Sequence, residues 1–140
     1  MKITLDQCKK CLHNTDLGLL FFRLFIGLTM AFAHGLGKLP PPQQFLDGIT
    51  GLGFPLPVAF AWAASLSEFA GGLLIALGLC TRGASLFLGA TMSVAAFMAH
   101  AADPFNVKEM ALLYLAACVL LVFTGGGKYA LDTFICKKCK

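Results

Sequence analysis

Leu17-Gly-Leu-Leu-Phe-Phe-Arg23-Leu-Phe-Ile-Gly27-Leu-Thr-Met-Ala31-Phe-Ala-His34-Gly35-Leu36 is a run of twenty residues with a single formal charge. Crossing the roughly 30 Å hydrocarbon core of a bilayer takes about 20 predominantly apolar residues as helix. Three further stretches meet that requirement: Pro57 to Leu79, Gly83 to Ala102, and Lys108 to Thr124. Pro57 stands in the first turn, where proline is tolerated. Gly125-Gly126-Gly127 ends the last stretch. The 140 residues are 58% hydrophobic and 13% charged, against about 25% charged in a soluble domain. So small a chain cannot hide that much apolar surface from water. The predicted fold is all-α: a bundle of four transmembrane helices over residues 16–125. A Cys-x-x-Cys segment, 1–15, precedes it, and a second, 126–140, follows.

Two other readings fail. Ala31-Phe32-Ala33 resembles a signal-peptide cleavage site, but the apolar segment before it is too long for an h-region and contains Arg23. The glycine run before Lys128 is not a phosphate loop, because Tyr129 stands where Ser or Thr is required and no strand precedes it.

Charge sets the direction. Lys2, Lys9 and Lys10 flank the first span, Arg82 lies between the second and third, and Lys128, Lys137, Lys138 and Lys140 follow the fourth. The opposite side has only Lys38 and Lys108. The positive-inside rule therefore predicts both termini in the cytoplasm and the chain in a bacterial inner membrane. The net charge of +4 is a topology signal. It does not predict nucleic-acid binding, because no basic face alternates with aromatics. On the outer side, Phe45, Leu46, Ile49 and Leu52 are spaced for a short helix at the membrane surface.

Ionisable groups inside a bilayer are costly, about 2.5–3.5 kcal/mol each on insertion scales, so Arg23, His34, Glu68, His100 and Glu109 are the candidate ligand-binding residues. Each lies on a stripe of small residues suited to close packing. Arg23 runs with Gly27, Ala31 and His34; Glu68 with Ala61, Ala64, Gly71 and Gly72; His100 with Gly89, Ser93 and Ala96; Glu109 with Leu113, Ala116 and Ala117. Phe21, Phe22, Phe25 and Phe87 are left to face lipid. At about 1.5 Å per residue, Glu68 falls near mid-membrane and Arg23 about a third of the way in. The expectation is an interior Arg23–Glu68 pair and an outer cluster of His34, His100 and Glu109. Each has a plainer alternative: a structural ion pair that fixes register, histidines at a wet interface, and a glutamate favouring a helix start.

Six cysteines complete the inventory. Cys80 and Cys118 lie in apolar sequence and read as inert. Cys8 and Cys11 form one Cys-Lys-Lys-Cys, and Cys136 and Cys139 another. An even number of spans brings them to one side, where four thiolates suit zinc or iron, or an iron–sulfur cluster, with His13 as a spare ligand. A reduced or redox-active dithiol is the alternative.

The residues resemble the DoxX family over most of the chain. The likeness runs through Arg23-Leu-Phe-Ile-Gly27 with Gly35 and Lys38, Leu52-Gly53-Phe54-Pro55, and Glu68-Phe-Ala-Gly71-Gly72 leading to Gly78 and Thr81-Arg82. It continues through Met92 to His100, Glu109 with Ala111-Leu112-Leu113-Tyr114-Leu115, and Thr124-Gly125 with Lys128 and Asp132. The resemblance implies a four-helix membrane fold and a link to membrane redox chemistry, through a thiosulfate:quinone oxidoreductase subunit and thiol-stress systems. The terminal cysteine pairs are no part of it. Fold alone does not fix function, so three readings stand: an oxidoreductase subunit that exchanges electrons with a quinone and a redox partner protein; a non-enzymatic scaffold; and a small-solute or proton carrier. The lipid bilayer is the partner common to all, and a homo-oligomer is compatible with each.

Overall fold

The structure, a computed structural model, describes residues 15–136. Helix α1, Thr15–Thr29, continues through a π-helical stretch at Met30–Gly35 and a 3-10 turn at Leu36–Lys38. The rest are α2, Gln43–Gly51; α3, Pro57–Leu77; α4, Thr81–Val94, extended by a second π-helical stretch at Ala95–Ala99; α5, Phe105–Thr124; and α6, Leu131–Cys136. Among the described residues, four helical stretches are long and apolar enough to cross a membrane: Thr15–Lys38, Pro57–Leu77, Thr81–Ala99 and Phe105–Thr124. Helix α2 is the short surface helix expected from its apolar spacing, and it packs against α3.

Small residues decide how the helices meet. A Cβ on Gly27 would collide with the Gly72 carbonyl and lie 2.6 Å from the Ala76 nitrogen. A Cβ on Gly72 would stand 2.7 Å from the Gly27 carbonyl oxygen. The α1 and α3 backbones therefore touch, which only glycine permits at this crossing. Ala31 and Ala61 are fully buried on the same faces. Between α3 and α4 the Ser67 and Thr91 hydroxyls share a hydrogen bond of 2.6 Å. Met30, Ile75, Leu88, Met92, Cys118 and Leu121 fill the centre.

The outside is apolar, as lipid requires. Phe21, Phe25, Phe87 and Phe123 are all more than half exposed. Phe22 departs from the expected pattern: it packs partly buried against the core, one position from Arg23 on the inner face of α1.

Both ends of the bundle lie on one face. The Lys128 amide donates to Asp16 Oδ1 at 2.9 Å, joining the start of α1 to the segment after α5. We call this the terminal face. The opposite, distal face carries Lys38, α2 and the connection from α4 to α5.

Candidate functional site

Glu68 sits just past the midpoint of α3 and is 3% exposed. Its partner is Lys38, whose Nζ lies 2.7 Å from both carboxylate oxygens. Lys38 reaches inward from the distal end of α1, and its ammonium also stands 5.1 Å from the centre of the Phe45 ring on α2. The expected Arg23–Glu68 pair does not form. Arg23 instead donates to the Ala76 carbonyl and, at 2.6 Å, to the Tyr129 carbonyl. The reason is height. Ala76 is eight residues from Glu68 along α3, about 12 Å of helix, so Arg23 is level with the terminal turn of α3. Lys38 continues the stripe of Gly27, Ala31 and Gly35, which faces α3; its long stem spans the remaining depth.

Around this pair lies a cavity of about 160 Å³. Its lining includes His34, Lys38, Glu68, His100, Met110 and Tyr114. His34 and Tyr114 meet edge to face, centroids 5.7 Å apart. His100 Nδ1 is 2.8 Å from Asp103 Oδ2. The structure thus brings together His34, Glu68 and His100 of the five candidates. Arg23 belongs to the terminal face. Glu109 is exposed and does not line the cavity. Helix α5 begins at Phe105 rather than at Lys108, and its inward face is Val107, Ala111 and Tyr114; Glu109, two residues from both Val107 and Ala111, points the other way.

The two π-helical stretches flank this cavity. Each histidine lies in one or at its end: His34 within Met30–Gly35, and His100 just after Ala95–Ala99, its amide bonded to the Ala95 carbonyl at 2.9 Å. Such turns occur often at functional sites. Nothing in a hydrophobic period announces them. The sequence offers Lys38 as a flanking charge and within the DoxX resemblance, and Tyr114 within that resemblance alone; neither signal sets them beside Glu68.

On the terminal face, Asp132 caps α4. Its carboxylate accepts from the Cys80 amide at 2.6 Å, the Thr81 amide at 2.9 Å and the Thr81 hydroxyl at 3.1 Å. Burial opposes ionisation, but these donors and the charge of Arg23 outweigh it and hold the carboxyl below the usual carboxylate range. With Arg23 on Tyr129, the cap clasps residues 125–136 to the α3–α4 turn. Of the four terminal cysteines, Cys8, Cys11 and Cys139 lie outside the described residues, as does the Cys136 side chain. Among the described residues no group of three or more His, Cys, Asp or Glu side chains could hold a metal.

Four apolar spans packed around a buried carboxylate and its half-buried ammonium partner define a small polytopic membrane protein. The chain belongs to the DoxX family, whose model matches residues 18–101. An uncharacterized protein of Haemophilus influenzae is 33% identical, over 84% of this chain and 93% of the relative. The Escherichia coli protein named inner membrane protein YqjF is 31% identical, over 88% of this chain and 95% of the relative. A Bacillus subtilis protein bearing the name "Putative oxidoreductase CatD" is 30% identical, over 87% of this chain and 90% of the relative. No solved structure matches. The chain is an integral inner-membrane protein.

Proposed function

We propose that this protein is a membrane subunit linked to quinone or thiol and sulfur redox chemistry, and that the cavity around Lys38 and Glu68 receives the polar ring of a quinone. The observation that carries this reading is the cavity shared by buried Glu68, its half-buried partner Lys38, two imidazoles and the Tyr114 ring. Quinone reduction consumes two electrons and two protons. The imidazoles of His34 and His100 can each donate and accept a hydrogen-bonded proton, and Lys38 would offset negative charge on a reduced ring. The name of the Bacillus subtilis relative points the same way. We place both termini in the cytoplasm, because Arg82 and Lys128 lie on the terminal face while Lys38 turns inward to Glu68.

The test is chemical. Wild-type protein purified with native lipid should carry quinone detectable by mass spectrometry after extraction. His34→Ala/His100→Ala should lose it by about ten-fold or more, equivalent to about 1.4 kcal/mol, while retaining its fold. A scaffold would carry no quinone, and its partner would bind the double variant unchanged.

The terminal cysteines form the second part of the proposal: Cys8, Cys11, Cys136 and Cys139 hold one zinc or iron. Its support is the Asp16–Lys128 contact, which brings the start of α1 and the segment after α5 together on the terminal face. Elemental analysis should find about one metal per chain, with Zn–S near 2.3 Å by X-ray absorption if it is zinc. Cys8→Ser and Cys136→Ser should abolish it alike. Metal-free wild type, or loss in one variant alone, would refute a shared site.

A further inference from the structure

The four spans do not close into an equal ring. Helices α1 and α3, α3 and α4, and α4 and α5 pack closely; among the described residues α1 and α5 make no comparable backbone approach. Towards the terminal face the seam between them is filled. Leu19, Phe22 and Met30 of α1 join Cys118 and Leu121 of α5 in the core, and Asp16 holds the Lys128 amide. Towards the distal face the seam is thinner, bridged by the edge contact of His34 on Tyr114. There the cavity wall is one side chain thick. Val107 and Met110 line the cavity, yet they are 45% and 52% exposed. Gly37, in the 3-10 turn that ends this span, falls about one turn beyond His34 on the same side of the helix, and a Cβ added to it would meet nothing within 4 Å.

We infer that the distal half of the α1–α5 seam is a lateral portal and tail subsite. A ligand with a flat polar head and a long apolar tail enters sideways from the bilayer, its head passing His34 and Tyr114 and its tail remaining between Met110 and the Gly37 edge. This rests on the reading of the cavity as a head-group site. Volume demands it. About 160 Å³ is well below the roughly 300–1,000 Å³ of pockets that enclose a whole drug-sized ligand, so the head fits and the tail must leave. It leaves without penalty, because lipid chains are as apolar as the seam. The edge contact of two rings, with no hydrogen bond between them, is a barrier that side-chain rotation removes. The tail's exit route fixes the class of ligand as a lipid-borne ring compound rather than a water-soluble solute.

Two probes test it in lipid nanodiscs: a dimethoxy-methyl-benzoquinone with a decyl tail, and the same ring with no tail. Gly37→Trp fills the portal from a residue that does not line the head-group cavity. Gly37→Phe narrows the gap from the same position, where the new side chain displaces nothing, so one variant at least keeps the fold. Relative to wild type, each should weaken the decyl compound by about ten-fold or more and change the tail-less ring by less than about two-fold. Equal effects on both probes, or none on the decyl compound in a folded variant, would overturn the portal and leave the head-group site standing. Wild type that binds neither probe would overturn the head-group reading, and the portal with it.

Discussion

Lys38→Met is expected to destabilise the bundle by about 3–5 kcal/mol, the usual cost of stranding one member of a buried ion pair. Glu68 is 4% exposed at its side chain and loses both contacts of 2.7 Å at once. The reverse change should be milder. Lys38 is 32% exposed, so in Glu68→Ala its ammonium swings to the distal surface and regains water. The double change Lys38→Met/Glu68→Leu should recover most of the loss, since well-packed apolar replacements for a buried pair are often neutral. Combining Glu68→Ala with Arg23→Ala should add the single losses without coupling, because the two sites are too far apart to share a partner. Unfolding titrations in mixed detergent micelles read all five variants. If Lys38→Met is as stable as wild type, or if Arg23 and Glu68 couple, the assignment of the pair is wrong.

Gly27→Val is expected to lose at least the upper part of the roughly 1–3 kcal/mol typical of overpacking. Its new Cβ meets backbone on α3, the Gly72 carbonyl and the Ala76 nitrogen, neither of which can rotate aside. The helices must separate, and the separation loosens the Arg23–Ala76 contact one turn away. Gly18→Val is the control: it lies on the same helix, and nothing stands within 4 Å of its Cβ position. It should melt within about 0.5 kcal/mol of wild type, as surface substitutions do. Equal stability of the two variants would show that α1 and α3 do not touch as described.

Much of this architecture was legible from residue order, and the reasons are specific. Apolar runs near the length of a bilayer core leave little choice of element, so the spans agree with expectation to within three residues at most ends. The small-residue stripe of Gly27, Ala31 and Gly35 marks the face of α1 that packs on α3, because a stripe depends only on the helical repeat. Relative height is a different quantity. It depends on the connection between Lys38 and Pro57, whose path no periodicity encodes. That is why Arg23 was matched with Glu68 when Lys38 is the residue that reaches it. Glu109 lies outside for a different reason: on its expected stripe Leu113 and Ala116 are exposed and only Ala117 is buried, so the packing face of α5 runs instead through Ala111, Tyr114 and Cys118. Tyr114 was hidden because an aromatic in an apolar span looks like any other. The Asp132 cap depends on chain reversal after Gly125, a tertiary event with a local signature of glycines and nothing to say where the carboxylate lands.

The clasp of Arg23 on Tyr129 ties the first span to the segment that follows the fourth. Arg23 enters the bilayer early in synthesis, when neither Ala76 nor Tyr129 exists to accept from it. It gains the first acceptor when α3 docks and the second only after the ribosome has passed residue 129. A chain halted at Thr124 would have every span it needs and still hold a guanidinium with half its protein acceptors missing. The burial of that charge therefore depends on a segment more than one hundred positions downstream, and a copy lacking the segment would leave the guanidinium short of an acceptor inside an apolar bundle.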